Sequence, residues 1–149
     1  MIDFSQLIQV SEDDWPHDEY KSVLASQISL FPTPLRRLYE NKEYPYLHDC
    51  ELREIVYQNP DNQICVHPSI VITLKTYEEG IKLIFPHIFI YQTWMEKDLQ
   101  DYSYQMEGVQ KAWTMIREGR IHFLCKFSYG MTLYIQSAGI DVQSIENEM

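Results

Sequence analysis

Trp113-Thr-Met-Ile-Arg-Glu-Gly-Arg-Ile-His-Phe-Leu-Cys-Lys-Phe-Ser-Tyr-Gly-Met-Thr-Leu-Tyr-Ile135 decides the fold. Ile121, Phe123, Cys125 and Phe127 recur at every second position, and Met131, Leu133 and Ile135 do the same beyond Tyr129-Gly130. A period of two places one set of side chains on one face of a strand. Glu118-Gly119 and Tyr129-Gly130 are short Gly-containing connections between such runs, which predicts consecutive antiparallel hairpins.

Upstream, the same period continues. Cys50, Leu52 and Val56 alternate with Glu51, Arg53 and Ile55, and Asn59-Pro60-Asp61-Asn62 marks a turn. Ile64, Val66, Ile70, Ile72 and Leu74 all fall on even positions. Pro68 lies inside that run, which predicts an edge strand or a bulge that splits it. After Glu79-Gly80, the residues Ile81, Leu83, Phe85, Phe89 and Tyr91 predict one long strand with an irregularity at Pro86. Residues 93–111 fit a helix and a long loop about equally. Ala138-Gly139 leads into a last short strand, Ile140 to Val142, and the sequence from Ser144 is polar.

The first 44 residues follow another rule. Tyr20, Val23, Leu24, Ile28 and Phe31 are spaced by three or four, the signature of a helix with one face on a core. It opens near His17 or Asp18, after Pro16, and Pro32 ends it. Thr33-Pro34 then supplies an N-cap with proline at the first helical position, and Leu35 and Leu38 give a second, short helix. The prediction is an α+β protein of one domain spanning 1–149. Its N-terminal helices (1–44) pack on a hairpin-rich antiparallel sheet (47–142), curled or forming a half-barrel, and 143–149 form a polar tail.

Composition narrows the function classes. The chain has 149 residues, 45% hydrophobic and 23% charged, with 22 acids against 12 Lys plus Arg and a formal charge of −10. A nucleic-acid binder needs a cationic surface, so nucleic acid is not expected as a partner. Anionic lipid is disfavoured for the same reason, and no apolar run is long enough to span a bilayer. The start, Met1-Ile2-Asp3-Phe4-Ser5, lacks a basic segment and an apolar run, so export is not expected and the cytoplasm is the expected location. Cys50, Cys65 and Cys125 are odd in number and widely spaced, which fits small buried hydrophobes in a reducing compartment.

No chemical motif commits the chain to catalysis. Glycine-rich phosphate loops, a G-x-S-x-G elbow and paired zinc ligands are absent from the sequence. Cys65 and His67 share a strand face, with His48 or His87 as further ligands if a metal were bound, but the expectation is no metal and no cofactor. His48-Asp49 is the most suggestive acid–base pair, although neighbours on a strand diverge. A small-molecule enzyme or sensor using His48, Asp49, His67 and Cys65 is therefore one alternative reading, and an oligomeric interaction domain is another.

Charge placement is the feature that remains. Glu12, Asp13, Asp14, Asp18 and Glu19 surround Trp15 within a stretch that has no base before Lys21. Glu96, Asp98, Asp101 and Glu107 are interleaved with Tyr102 and Tyr104, and only Lys97 opposes them. Either cluster is accounted for as a solvated surface, or as an electrostatic docking face for a basic protein with the aromatics as anchors.

Tyr46-Leu47-His48-Asp49-Cys50-Glu51-Leu52 opening a strand, two long apolar strands after it, and Trp113 before a hairpin pair complete the pattern. Over residues 46–142 this resembles a group of small, uncharacterised bacterial cytoplasmic proteins that carry a Leu-His-Asp strand start. Some of them are immunity proteins of polymorphic-toxin and contact-dependent growth-inhibition systems. The resemblance implies a sheet-based fold and no established catalytic residues. Small size, strong acidity and the lack of an export signal or a catalytic constellation make the expected function that of an immunity protein, with a basic toxin domain as partner.

Overall fold

The computed structural model describes residues 2–40, 47, 50–58, 67–75, 79–95, 108–128 and 130–146. Two helices, α1 (His17–Gln27) and α2 (Thr33–Glu40), precede eight strands. These are β1 (Glu51–Gln58), β2 (Ser69–Lys75), β3 (Glu79–Phe85), β4 (Ile88–Met95), β5 (Val109–Arg117), β6 (Arg120–Phe127), β7 (Met131–Ser137) and β8 (Asp141–Glu146). The protein is α+β, as predicted, but its strands form two antiparallel four-stranded sheets. The first has the order β1-β2-β3-β8 and the second β4-β7-β6-β5.

Both hairpins of the deciding stretch form where the turn residues place them. Arg117 pairs with Arg120 across Glu118-Gly119, whose φ angles of 53° and 72° are both left-handed. That is the backbone of the two-residue turn whose twist matches flanking strands. Gly130 has φ 98°, a conformation glycine adopts without a Cβ clash.

Two expectations about proline are corrected. Of the two readings of Pro68, the edge strand fails, because β2 lies between β1 and β3 with its pairing beginning at Ser69; the split of the run is left standing, with Ile64 and Val66 outside the described residues. Without an N–H, Pro68 cannot join a ladder. It uses its carbonyl instead, accepting from Ile88 N–H at 2.9 Å. The run Ile81–Tyr91 is likewise not one strand. It breaks at Pro86-His87, where His87 takes φ 54°, and the chain passes from β3 in the first sheet to β4 in the second. Bends of this kind are how sandwiches turn their corners. At the return corner the chain crosses back through Gly139, and β8 pairs with β3. This last strand extends to Glu146, so the segment expected to be a polar tail starts as strand.

Strand β1 links the sheets at two places. Glu51 bridges to Gly108 beside β5, and Tyr57 stacks near Tyr91 of β4, with centroids 6.4 Å apart. It thus spans from one edge of the second sheet to the other.

The main core lies between the sheets. Ile70, Ile72 and Leu74 of β2, with Ile81, Leu83 and Phe85 of β3, meet Phe123, Cys125 and Phe127 of β6 and Leu133 and Ile135 of β7. Phe31, Leu35 and Leu38 close it from the helical side. Cys50 and Cys125 are buried thiols, as expected, whereas Cys65 lies outside the described residues.

A second core occupies the outer face of the second sheet. Trp113, Met115, Leu124 and Tyr134 are covered there by Ile2, Phe4, Ile8, Trp15 and Tyr20. The sequence reading took 1–44 as mainly helical, with the first helix opening near His17 or Asp18. Residues 2–16 form short 3-10 turns, Phe4–Gln6 and Glu12–Asp14, that lay apolar side chains on the sheet. With both faces covered, every residue of β6 from Ile121 to Phe127 is buried.

Candidate partner-binding site

The acidic stretch is built on an aromatic box. Trp113 projects from the outer face of β5, and Tyr20 of α1 stacks on it at 4.2 Å with the rings 9° from parallel. Trp15 tilts against it at 5.1 Å, and His17 meets it edge-on at 5.3 Å. Such pairs add roughly 0.5–1.5 kcal/mol each beyond area burial. The Trp15 indole N–H donates to Val10 O at 3.0 Å, and His17 Nε2–H donates to Glu12 O at 3.0 Å.

Main-chain bonds wind the same residues into successive turns. Asp14 N–H donates to Ser11 O, Trp15 N–H to Glu12 O, His17 N–H to Trp15 O and Tyr20 N–H to Pro16 O, at 2.8–3.1 Å. The apolar side chains point inward, and Asp13, Asp14, Asp18 and Glu19 are left exposed. Asp18 and Glu19 occupy the first turn of α1, where carboxylates also stabilise the partial positive charge of the helix N-terminus.

The sequence-predicted site residues divide in four. Asp13, Asp14, Asp18 and Glu19 are exposed, as a docking face requires. Glu12 is half-buried and lies 3.5 Å from Lys111 Nζ, so its charge is partly engaged within the chain. Trp15 is only 3% exposed, and the expectation that it anchors a partner is corrected: its ring is an internal strut. Glu96, Asp98, Asp101, Tyr102 and Tyr104 lie outside the described residues, as do His48 and Asp49.

Beside the acidic turn is a polar hollow of about 220 Å³, lined by Ser11, Glu12, Asp13, Gln110, Lys126, Ser128 and Gly130. Lys126 is a 7% exposed ammonium on β6, brought there because its strand position faces the outer side of the sheet. Reading by sequence missed Lys111, Gln110, Lys126 and Ser128. They are 90 or more residues distant along the chain, and nothing local marks them.

The histidines yield a different arrangement. His67 and His87 stack with centroids 3.4 Å apart, and Phe89 follows at 4.6 Å from His87, with the Arg120 guanidinium 3.7 Å above the Phe89 ring. Burial, then the neighbouring His67 and Arg120, hold the His87 imidazole below its ordinary pKa. Among the described residues no group of three or more His, Cys, Asp or Glu side chains converges as metal ligands. No helix of the described residues is long and apolar enough to cross a membrane.

No protein-family model matches the chain, and no curated protein matches it.

Proposed function

We propose that this chain is a non-enzymatic inhibitor, an immunity-type protein that binds and neutralises a cationic bacterial toxin domain, with a basic nuclease as the best-fitting class. The supporting observation is that the exposed carboxylates of Asp13, Asp14, Asp18 and Glu19 stand on backbone turns pinned to a buried aromatic box. Charges held in place by packing cost little ordering on association, whereas charges on a loose tail must be ordered first. Such a face speeds encounter with a basic surface and sets the register of docking.

In a nuclease the cationic groups that hold substrate phosphates are the natural counterpart. Carboxylates laid over or beside them exclude the nucleic acid. The segment bearing Glu96, Asp98, Asp101, Tyr102 and Tyr104 is a second arm of the same reading. Location in the cytoplasm, where such a toxin acts, belongs to this proposal.

The test is co-expression with the toxin domain encoded immediately upstream, with growth and co-purification as readouts. A quadruple variant, Asp13→Asn, Asp14→Asn, Asp18→Asn and Glu19→Gln, should slow association at low salt and weaken protection. A variant neutralising 96–107 reports on the second arm. Full protection by both variants, with an affinity indifferent to salt, would overturn the reading.

A further inference from the structure

Three chain segments meet at the corner where the chain changes sheets. β3 passes into β4 through Pro86-His87, β7 passes into β8 through Ala138-Gly139, and His67-Pro68 leads into β2. Two backbone bonds tie them together. Ile88 N–H donates to Pro68 O at 2.9 Å, and Ala138 N–H donates to His87 O at 3.1 Å. Beside the first of these bonds the rings of His67 and His87 lie face to face, with centroids 3.4 Å apart and planes 15° from parallel. His87 also takes φ 54°, a left-handed backbone that a residue with a Cβ adopts at a cost, so its surroundings hold it there.

The charged groups that act on His87 are cations. His67 supplies one when protonated. Arg120 of β6 supplies the other, its guanidinium 3.7 Å over the Phe89 ring, whose centroid is 4.6 Å from that of His87. The β7–β8 corner contributes Ala138 and Gly139, and the end of β3 leads into Pro86, none of which titrates. Asp141, which opens β8, pairs with Ile84 and is not among the groups acting on His87. Asp3 and Glu118 act on His122 instead. The stack accommodates two neutral rings or a single proton. A second proton would set like charges face to face beside a guanidinium, with no carboxylate to offset them.

We infer that the His67–His87 stack is a proton-operated latch on this corner: closed near neutral pH, it pins the entry to β2 against the start of β4, and acidification parts the rings and releases that contact. With its imidazoles separated, the open corner binds one more proton than the closed one. Opening therefore rises as pH falls below about 6.5, where a free imidazole takes its proton, by up to about tenfold per pH unit. Release relieves the left-handed backbone of His87 and loosens both backbone bonds, while the ladders of the sheets stay paired. The device is local, and it stands apart from the proposed inhibitory role, which rests on other residues.

Amide exchange followed by NMR from about pH 8 to about pH 5, corrected for the intrinsic pH dependence of exchange, tests it. Protection of the Ile88 and Ala138 amides should fall as pH drops, and fall more steeply than that of the β6 amides. His87→Asn keeps a residue that tolerates the left-handed region and removes one titrating ring. His67→Gln removes the other. Each should flatten the pH dependence at Ile88 and Ala138, and His122→Gln should leave it in place. Should His87→Asn fail to fold, His67→Gln carries the test. Corner protection that stays constant with pH in the wild-type chain, that falls no more than in β6, or that falls as steeply in the folded His67 and His87 variants overturns the inference.

Discussion

The side-chain amide of Gln27 pairs with the backbone of Ile116 as a neighbouring strand would. Its Oε1 accepts from Ile116 N–H at 2.8 Å, and its Nε2–H donates to Ile116 O at 2.8 Å. Two residues back along β5, the Tyr20 hydroxyl satisfies both backbone groups of Thr114 in the same manner. Helix α1 thus docks by completing the hydrogen bonds of an edge strand as well as by burying an apolar face. Edge groups spaced two apart on the strand meet side chains seven apart, two turns, on the helix.

Removing either cap exposes what it satisfied. Gln27→Ala should cost about 1 kcal/mol, because Ile116 lies near enough to the surface for water to replace part of the pair. Tyr20→Phe should cost about 1–3 kcal/mol per group, because Thr114 is fully buried. Urea denaturation measures both. Exchange of the Thr114 amide should rise more in Tyr20→Phe than in Gln27→Ala, and equal effects would refute the capping account.

Trp113 is the residue on which the N-terminal cover rests. It touches Phe4, Trp15, His17 and Tyr20, and is 5% exposed. Trp113→Ala should destabilise by about 3–5 kcal/mol. Limited proteolysis should then cut within residues 2–16 before it cuts the sheets. Cleavage that begins elsewhere would show that the cover is held by other contacts.

Acid sensitivity should trace to His122. Its ring is buried beneath the N-terminal segment, and its Nδ1 is 2.8 Å from Tyr134 Oη. Burial is the main cause that holds its pKa below the ordinary 6.5. The unfolded chain therefore binds this proton more readily than the folded one. His122 favours folding above about pH 6.5, and stability falls as pH drops from there toward the lowered folded value. His122→Gln should flatten that part of the stability–pH curve, measured by urea midpoints at successive pH values. An unchanged slope would assign it to other groups.

Glu118 sits at φ 53° in the first position of the β5–β6 turn, where a side chain with a Cβ is strained. Asn tolerates this region, and Asn-Gly is the favoured pair for such a turn. Glu118→Asn should raise stability by about 0.5–1 kcal/mol, read as a higher thermal midpoint. A lower midpoint would mean that Glu118 makes an interaction that outweighs the strain.

Alternation at 121–135, the Gly-containing turns at 119 and 130 and the three-and-four spacing of Tyr20, Val23, Leu24 and Ile28 determined by themselves that this is an α+β protein of antiparallel hairpins. These signals are local: a period and a turn are written in adjacent residues. Tertiary structure alone decided that the strands divide between two sheets, because the break at Pro86-His87 has the same sequence signature as a bulge. It also decided that Trp15 faces inward while Asp13, Asp14, Asp18 and Glu19 face outward. That depends on a groove made by Trp113, nearly a hundred residues away, and no pattern within 12–19 encodes which side the sheet will occupy.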